Sequence, residues 1–315
     1  MIEVKNLTKC YGGRCAVDHL NFTLADGQIY GFLGPNGAGK STTMNMITGY
    51  LAPTEGEVRI NGINISDDPE KARRSIGYLP ELPPLYKEMT VGEYLTFAAE
   101  LKKIPAAERE SQLRRAAALT HVEDVWPRLI KNLSKGYCQR VGLAQAILGF
   151  PPVLIFDEPT VGLDPKQIAE IRELIRTLSG QHTVILSSHI LPEVQAVCDR
   201  LLIIHRGRLL ADDTPAHLEA SQGGQTLRFT VRGAAGTVQN ILTATEGVTH
   251  YHLTQNGDLT EAQAEVEENS DPREAIFYAL ADARCPLLTM LRSENTLEQV
   301  FLKMTGDEKE EGAAR

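Results

Sequence analysis

The sequence predicts an α/β fold with a mainly parallel sheet, followed by a smaller α+β domain. Three observations support this prediction. A short apolar run over residues 29–33 leads into a glycine-rich turn and then into a segment with helical spacing. A second continuous apolar run, over residues 153–156, is typical of a strand buried on both faces, as in parallel sheets. After residue 220 the composition changes, and short strands again alternate with helices.

The N-terminal segment, residues 2–33, is predicted to be rich in strands. Leu20, Phe22 and Leu24 alternate with polar residues, which is the period-2 pattern of a half-buried strand. Tyr11 lies in a glycine-flanked loop ahead of this strand, where an aromatic that packs against the fold is one interpretation. The residues alone leave the role of Tyr11 open.

Between the glycine-rich turn and the second apolar run, the pattern changes from strands to helices. Residues 57–60 predict a strand followed by a turn, and residues 75–81 predict another strand that ends near a proline. From residue 90 to residue 149 the pattern is helical. Thr90 and Glu93 predict a capping box at the start of this helical insertion.

The sheet resumes after the helical insertion. We expect a helix over about residues 165–178, a strand over residues 183–186, a further helix, and a hairpin over residues 201–210 that turns at Arg206 and Gly207. Strands that alternate with helices form parallel sheets. The first domain, residues 1–220, is therefore predicted to contain one mainly parallel sheet.

The rest of the chain forms a predicted accessory domain. Residues 221–225 predict a linker, and residues 226–305 alternate short strands with helices, one of them near residues 271–283. The charged tail, residues 306–315, is predicted to be disordered. We expect the accessory domain to pack on the first domain or to extend a dimer, with a ligand-sensing role as the alternative.

The overall composition argues against several classes of protein. The chain has 315 residues, a formal net charge of −9 and an isoelectric point near 5.5, which disfavours a broad nucleic-acid-binding surface. No run of about 18 apolar residues is present, so if the protein acts on a membrane, another chain must span it. The scattered cysteines form no C-x-x-C pair, which predicts reduced thiols in a cytosolic protein, without a disulfide framework or a zinc site. They are Cys10, Cys15, Cys138, Cys198 and Cys285.

The glycine-rich turn is the clearest chemical signal in the sequence. It fits the pattern G-x-x-x-x-G-K-[ST] between a strand and a helix, the context in which this pattern binds phosphate. Glycines let backbone N–H groups converge on an anion, Lys40 reaches the outer phosphates, and Ser41 offers a hydroxyl to Mg²⁺. A chance glycine-rich turn is the alternative. The predicted phosphate-binding residues are Gly34, Pro35, Asn36, Gly37, Ala38, Gly39, Lys40, Ser41 and Thr42.

Two carboxylates, Asp157 and Glu158, follow the second apolar run directly. At the carboxyl end of a central strand they face the ligand crevice of an α/β sheet. Asp157 suits the ligand shell of Mg²⁺, and Glu158 is placed to polarise a water that attacks a γ-phosphate. A solvated acidic turn is the alternative. His189 follows the next strand, where a structural histidine is the alternative to a catalytic one.

The order of these motifs resembles that of one family, the ATP-binding subunits of ABC transporters. The resemblance implies an ABC-type P-loop ATPase domain with a mainly parallel sheet, an antiparallel β subdomain and a helical subdomain at about residues 90–149. Tyr11 matches the aromatic that stacks on adenine, and residues 34–42 match the Walker A loop. Residues 153–158 match Walker B, with Glu158 as the catalytic glutamate. Residues 162–165, with Asp164, match the D-loop, and His189 matches the switch histidine.

The signature segment of this family, usually L-S-G-G-Q, resembles residues 133–140, which begin L-S-K-G-Y. The resemblance implies that this segment meets the ATP bound by a partner copy, through groups at a helix N-terminus. Lys135 either adds positive charge there or is merely exposed. Glu81 stands where most members have a glutamine that contacts Mg²⁺ and transmits closure to the membrane subunit. The predicted signature residues are Ser134, Lys135, Gly136 and Gln139.

The resemblance also implies cofactors and partners. ATP and Mg²⁺ are the expected cofactors, with Ser41, Glu81 and Asp157 at the metal. Two copies are expected to form a head-to-tail homodimer with two composite ATP sites, attached to a separate polytopic permease and without nucleic acid. Resemblance to a bacterial exporter subgroup, with gliding-motility-type and CcmA-like subunits, implies export and a peripheral position on the cytoplasmic side of the inner membrane.

Two other functions share parts of the pattern. One alternative is a soluble ABC-type mechanical ATPase of translation or DNA repair. The translation factors resemble two ATPase halves in one chain, and the repair ATPases carry coiled coils or zinc modules. This sequence shows one half, no sustained heptads and no zinc spacing. A small-molecule kinase shares the phosphate loop but has no need of the signature segment or His189. The sequence does not name a transported substrate, because that specificity lies in the membrane chain.

Overall fold

The computed structural model describes residues 1–221, 225–267, 270–293 and 296–306. The chain forms two compact units, Met1–Pro215 and Ala216–Arg315, which we call the first and second units. The predicted boundary after residue 220 falls near the end of the helix Pro215–Ser221. Residues 222–224 of the predicted linker and residues 307–315 of the predicted tail lie outside the described residues.

The first unit combines two sheets with helices. Its strands are β1 (Ile2–Tyr11), β2 (Arg14–Leu24), β3 (Ile29–Leu33), β4 (Glu55–Ile60), β5 (Ile63–Asn64), β6 (Ile76–Leu79), β7 (Val153–Asp157), β8 (Thr183–Ser188), β9 (Arg200–His205) and β10 (Arg208–Asp213). Its helices are α1 (Lys40–Ile47), α2 (Pro69–Arg74), α3 (Val91–Leu101), α4 (Ala106–Thr120), α5 (Lys135–Ile147), α6 (Pro165–Leu178) and α7 (Leu191–Gln195).

The central sheet has the strand order β10-β9-β3-β8-β7-β6. All neighbouring strands are parallel except β10, which pairs antiparallel with β9 at one edge. Every residue of β3, β7 and β8 is buried, which explains the apolar runs within these strands. The mainly parallel sheet and the hairpin at its edge are confirmed, and the carboxyl ends of the parallel strands meet at one edge of the sheet.

The second sheet of this unit is antiparallel, with the order β2-β1-β4-β5. Leu20, Phe22 and Leu24 of β2 are buried as the alternation predicts, and they share a core with Met44 and Ile47 of α1. This core also contains residues of the central sheet. The antiparallel sheet therefore fixes helix α1, which begins directly after the glycine-rich turn.

The expectation that all cysteines are reduced is wrong for one pair. Cys10, near the end of β1, and Cys15, near the start of β2, lie opposite each other in the antiparallel pair and form a disulfide. Their sequence spacing matches no redox or zinc motif, but the hairpin between them brings their side chains together. Cys138, Cys198 and Cys285 are free thiols, as expected.

The helical insertion forms a subdomain of its own around α3, α4 and α5. The predicted capping box is confirmed: Thr90 accepts a hydrogen bond from the backbone N–H of Glu93, whose carboxylate accepts one from the Thr90 backbone N–H. A separate core joins the three helices. At Gly92 a Cβ atom would stand 2.4 Å from Nε1 of Trp126, so only glycine lets α3 approach this ring.

The second unit is an α+β fold with one antiparallel sheet of order β12-β13-β11-β14. Helices α9 and α10 supply the other side of its core through Val238, Leu242, Ile276 and Leu280. The elements are α8 (Pro215–Ser221), β11 (Gln225–Arg232), α9 (Ala235–Ala244), β12 (Val248–Asn256), β13 (Leu259–Val266), α10 (Arg273–Asp282), β14 (Leu287–Ser293) and α11 (Leu297–Gly306). Across the described ranges of the whole chain, no helix is long and apolar enough to cross a membrane.

Candidate functional site

The glycine-rich turn leaves β3 at Gly34 and enters α1 at Lys40. A Cβ atom on Gly34 would lie 2.3 Å from the carbonyl oxygen of Ile204. Gly39 has a φ of +106°, and a Cβ atom there would lie 2.5 Å from the carbonyl oxygen of Ala16. Both close approaches require glycine. The turn is thereby held between β9 and the second strand, with the first N–H groups of α1 free to meet an anion.

Lys40 is buried at the centre of the site. Its Nζ donates a hydrogen bond to the carbonyl oxygen of Gly34 at 2.7 Å and lies 3.6 Å from Oε1 of Glu158. Burial lowers the pKa of Lys40, while the charges of Glu158 and Asp157 oppose this shift. The side chain is therefore a desolvated cation whose attraction for phosphate is little screened by water.

Asp157 is the last residue of β7, and its carboxylate is buried among hydroxyl groups. Its Oδ1 accepts a hydrogen bond from Ser187 at the end of β8, and it lies 3.4 Å from Oγ of Ser41. Asp157 and Ser41 thus present oxygen atoms side by side, the ligand type that Mg²⁺ prefers. Among the described residues no group of three His, Cys, Asp or Glu side chains forms a metal site. These oxygens fit a Mg²⁺ ion that takes its other ligands from nucleotide phosphates and water.

Glu158 follows Asp157 and connects Lys40 to His189. Its Oε2 lies 2.9 Å from Nδ1 of His189, while its other carboxylate oxygen faces Lys40. The backbone of Glu158 has a φ of +49°, a left-handed conformation that is costly for a residue other than glycine. Its N–H donates to Oγ of Ser187 at 3.0 Å, which helps to hold this strained conformation. The strain aims the carboxylate into the cavity.

Lys40 and Glu158 line a cavity of about 750 Å³, whereas Asp157 is not among the residues that line it. The turn residues Asn36, Gly37, Gly39, Lys40, Ser41 and Thr42 line it. Glu81, Glu158 and His189 line it as well, so the structure brings together residues from four separate segments that the sequence picked out. The volume of the cavity and its polar lining are compatible with a nucleoside triphosphate.

Two basic residues in the cavity wall were missed by the sequence analysis. Arg14 lies on β2 and Arg206 lies in the turn between β9 and β10. The position of Arg206 is fixed because its neighbour Gly207 donates a backbone hydrogen bond to the Ala38 carbonyl at 2.8 Å. The sequence marks this turn correctly but gives no sign that it lies against the phosphate loop.

Tyr11 is the last residue of β1 and not part of the loop. Its side chain is 56% exposed, and Nζ of Lys9 lies 5.5 Å from the ring centroid. Tyr11 is not among the residues that line the cavity, although its neighbours Arg14 and Cys15 are. Its role as the adenine-stacking aromatic stays a prediction.

The signature residues lie at the start of α5 and do not line this cavity, although Lys135 and Gln139 line a neighbouring pocket together with Glu81. Ser134 caps the helix, because its Oγ accepts a hydrogen bond from the backbone N–H of Tyr137 at 3.3 Å. Gly136 is buried against Gln167, and Gln139 is only 4% exposed. None of Ser134, Lys135, Gly136 and Gln139, all of which the structure describes, lines the cavity of its own chain.

The D-loop residue Asp164 is a helix cap. Its carboxylate accepts a hydrogen bond from the backbone N–H of Gln167 at 2.9 Å, and the Gln167 side-chain oxygen accepts one from the Asp164 backbone N–H, which completes a capping box at the start of α6. The Pro165 that follows occupies the first helical position, where proline is favoured. The capping box therefore fixes the end of the loop that enters α6.

Comparison with known proteins identifies this arrangement. Residues 17–161 match the family model described as ABC transporter. The bacitracin transport ATP-binding protein BcrA of Bacillus licheniformis is 33% identical over 308 residues, which cover 97% of each chain. The chain belongs to the ATP-binding subunits of ABC transporters. It is an ATPase subunit, as the motif order predicts.

Other relatives of this ABC subunit extend the similarity over the whole chain. The uncharacterized ABC transporter ATP-binding protein YhcH of Bacillus subtilis is 36% identical and covers 99% of this chain and 98% of the relative. The daunorubicin/doxorubicin resistance ATP-binding protein DrrA of Streptomyces peucetius is 32% identical, covering 97% and 92%. The second unit is therefore within the length that these relatives share.

Solved structures match a smaller part of the ABC subunit. The ATP-binding subunit of an ABC transporter superposes with a TM-score of 0.66 at 35% identity, covering 71% of this chain and 93% of that chain. A dimeric, post-hydrolysis state of the ATP-binding cassette MJ0796 bound to ADP and Pi gives a TM-score of 0.62 at 29% identity, covering 68% and 98%. The fold of the ATPase is confirmed, and ATP is its nucleotide.

Proposed function

We propose that two copies of this ABC subunit close head to tail on two ATP molecules and thereby drive a separate membrane permease in an export reaction. One observation carries the proposal: Lys40 and Ser134 belong to one chain, yet the signature residues do not reach the cavity that contains Lys40. A signature that cannot serve its own nucleotide completes the site of a second copy. The similar cassette MJ0796 has been solved as a dimer, which supports this assembly.

Within each composite site, the residues of one chain prepare the γ-phosphate for attack. Lys40 and the N–H groups of the glycine-rich turn neutralise the triphosphate charge. Glu158 accepts a proton from the attacking water, and His189, hydrogen-bonded to it, holds the carboxylate in position. The partner's signature helix closes the other side and excludes water. Loss of the γ-phosphate removes the charge that holds the copies together, so that the dimer opens.

The oxygen groups beside the phosphate loop fit a Mg²⁺ ion. Ser41 and Asp157 present adjacent oxygens, and Glu81 lines the same cavity. When bound, the ion supplies charge that stabilises the phosphate oxygens during transfer. Glu81 adds a carboxylate where most members carry a neutral glutamine, which strengthens the attraction for a cation at this point.

The loop that begins at Glu81 is the proposed docking surface for the permease. Glu81 lines the ATP cavity, whereas the next residue, Leu82, is 78% exposed. Tyr86 in the same loop is also exposed, and its ring centroid lies 5.6 Å from that of Phe97 on α3. Exposed apolar side chains next to a catalytic cavity suit contact with another protein. The loop connects that contact directly to the nucleotide.

The names of the relatives support export and a position at the inner face of a bacterial plasma membrane. BcrA is named for bacitracin transport, DrrA for daunorubicin and doxorubicin resistance, and a further relative, from Rhizobium meliloti, for Nod factor export. Their cargoes are chemically unrelated. Cargo choice therefore belongs to the permease in our proposal.

Nucleotide trapping tests the head-to-tail dimer. In a Glu158→Gln background, which slows hydrolysis, Lys40→Ala removes the phosphate cation and Ser134→Asp places a negative charge against the partner's phosphate. Aspartate still caps a helix, so α5 is preserved. We expect each variant alone to remain monomeric with ATP, and their equimolar mixture to form dimers with one trapped ATP each, measured by light scattering and nucleotide content.

The matched control is the Glu158→Gln chain itself, which forms dimers with two trapped ATP molecules in this proposal. If that chain dimerises but the mixture does not, the sites are not shared between copies. Dimers formed by Ser134→Asp alone also contradict the proposal.

Membrane co-purification tests the docking surface. We expect Leu82→Asp to lose its polytopic membrane partner while its basal ATPase activity is unchanged. Leu210→Asp is the matched control, an exposed leucine of the same unit on β10. For Glu81→Gln we expect little change in basal ATPase activity and altered stimulation by the permease. Equal co-purification of all variants would exclude this surface.

A further inference from the structure

The side chain of Lys135 lies against the D-loop of its own chain. A Cβ atom built on Gly162 would stand 2.1 Å from Nζ of Lys135, 3.0 Å from Cε and 3.3 Å from Cδ. The end of the lysine therefore occupies the space in which any residue other than glycine would place its side chain. Gly162 has a φ of +73°, which also favours glycine. Lys135 is exposed as a whole residue, but the end of its side chain is in contact with Gly162.

The neighbouring residue makes a second contact of the same kind. Gly136 packs against Gln167, where a Cβ atom would approach the side-chain amide to 2.6 Å. Gln167 belongs to the capping box of Asp164, at the far end of the D-loop. The first turn of α5 thus touches the loop at Gly162 and the helix that ends it. Two adjacent signature residues fix both ends of the segment from Gly162 to Asp164.

This segment leads directly to the catalytic carboxylate. The backbone N–H of Val161 donates to the carbonyl of Glu158 at 3.3 Å, and the N–H of Leu163 donates to the carbonyl of Thr160 at 3.2 Å. Val161 itself lines the ATP cavity. Because these two hydrogen bonds link the backbone between Glu158 and Leu163, a displacement of Gly162 also shifts the backbone of Glu158.

We propose that Lys135 is a positioning residue for hydrolysis, which fixes the D-loop and through it Glu158 by steric contact with Gly162. In the part of the chain that the structure describes, no hydrogen bond or ion pair of the Lys135 ammonium is found, so packing accounts for the contact. In the proposed dimer the signature residues face the ATP of the partner, whereas Glu158 acts on the ATP of its own chain. The contact between Lys135 and Gly162 therefore links the two ATP sites. This last step rests on the proposed head-to-tail dimer.

A double-mutant cycle on the full chain tests the proposal. Lys135→Gly removes the contact, and Gly162→Ala displaces the lysine tip. We expect each to lower kcat by about threefold to tenfold and to change KM for ATP by less than about twofold, because neither residue lines the cavity. In the double variant the two losses should not multiply. Lys135→Met, which keeps the length and loses the charge, should retain at least about half of kcat.

Gly180→Ala is the matched control for backbone strain. Gly180 has a φ of +81° with no atom near its missing Cβ, so this substitution adds strain without a clash. We expect it to lower the melting temperature and to leave kcat unchanged. Losses of kcat that multiply in the double variant, or a wild-type kcat in Lys135→Gly, would overturn the proposal.

Hydrogen exchange separates this proposal from that of the dimer. In the nucleotide-free chain, Lys135→Gly should speed exchange at the amides of Val161 and Leu163 by at least about threefold, whereas Lys135→Met should not. Unchanged exchange in Lys135→Gly excludes the contact. If the trapping experiment fails while exchange responds, the contact stands and only the link between two ATP sites is lost.

Discussion

The first unit buries charged groups, whereas the described part of the second unit buries almost none. Lys40, Asp157, Glu158 and Glu193 are all buried in the first unit. In the second unit, within the described ranges, the buried polar residues are threonines, at positions 226 and 260. Buried charge lowers stability unless it is paired, so a fold keeps it where chemistry needs it. The contrast locates the chemistry at one edge of the central sheet.

The difference also shows how each unit is held together. In the first unit, Glu193 accepts hydrogen bonds from Thr160 and Ser188, which ties the loop after β7 to the end of β8. The core of the second unit is an apolar layer between its sheet and two helices. The sequence predicts an accessory role for this unit. That role stays a prediction.

The largest expected effect is at Glu158. Glu158→Gln keeps the shape of the side chain but removes the proton acceptor, so we expect kcat to fall by about 10²-fold to 10⁴-fold with ATP binding retained. Steady-state hydrolysis and nucleotide binding measure the two quantities. Glu261→Gln, an exposed position on β13 of the second unit, is the control and should keep wild-type kcat. Near-normal hydrolysis by Glu158→Gln would remove its assignment as the base.

The second expectation concerns stability in the second unit. Leu280 on α10 is fully buried, and Leu280→Ala should lower the free energy of unfolding of that unit by about 2–5 kcal/mol. Because none of the residues of this unit that the structure describes lines the ATP cavity, kcat of the folded protein should not change. Chemical unfolding and hydrolysis at low temperature test both statements. A fall in kcat without loss of fold would show that the second unit takes part in hydrolysis.

Lys102 is a lysine of the first unit whose buried ammonium group does not line the ATP cavity, so it tests whether every lysine of this kind takes part in catalysis. Its Nζ donates hydrogen bonds to the carbonyls of Gln145, Ala146 and Leu148, which end α5. Lys102→Met leaves these carbonyls without that donor and should cost about 1–3 kcal/mol of stability, with kcat unchanged. A lower kcat at full stability would give Lys102 a catalytic role.

The same residue predicts a pH dependence. Burial lowers the pKa of Lys102 to about 7, while the unfolded chain keeps the ordinary value of 10.5. Above pH 7 the unfolded state therefore binds more protons, and the contribution of Lys102 to stability rises with pH. The stability difference between wild type and Lys102→Met should grow from pH 7 to pH 9, as urea unfolding would show. A constant difference would contradict the lowered pKa.

The smallest expected effect is the same in both units. Thr90 caps α3, and Thr296 forms the equivalent pair of hydrogen bonds with Gln299 at the start of α11. Each threonine to alanine change should cost about 1 kcal/mol, because one backbone N–H loses its acceptor. Thermal unfolding measures both. Markedly unequal costs would show that one cap has a further role.

Much of the fold followed from local patterns. Residues 165–178 were predicted as a helix and form α6, because a proline, a capping aspartate and helical spacing act within one segment. The buried strands β3 and β7 were visible as apolar runs for the same reason. The ATP site was predictable where a motif fixes the backbone, as in the glycine-rich turn.

The remaining features depend on contacts between distant segments. Arg206 reaches the cavity only because Gly207 bonds to Ala38, far away in sequence. The disulfide of Cys10 and Cys15 follows from strand pairing, and the contact between Lys135 and Gly162 follows from the packing of α5 against the loop before α6. Such relations leave no periodicity or spacing in the sequence.

The pairing of Lys40 with Glu158 affects which anions can bind in the cavity. An anion that comes to Lys40 competes with a carboxylate already 3.6 Å from the ammonium. A triphosphate compensates for the displaced carboxylate because it also gains the N–H groups of the turn along its length, whereas a small anion such as chloride gains fewer of them. The carboxylate of Glu158 therefore disfavours small anions at Lys40 relative to a nucleotide.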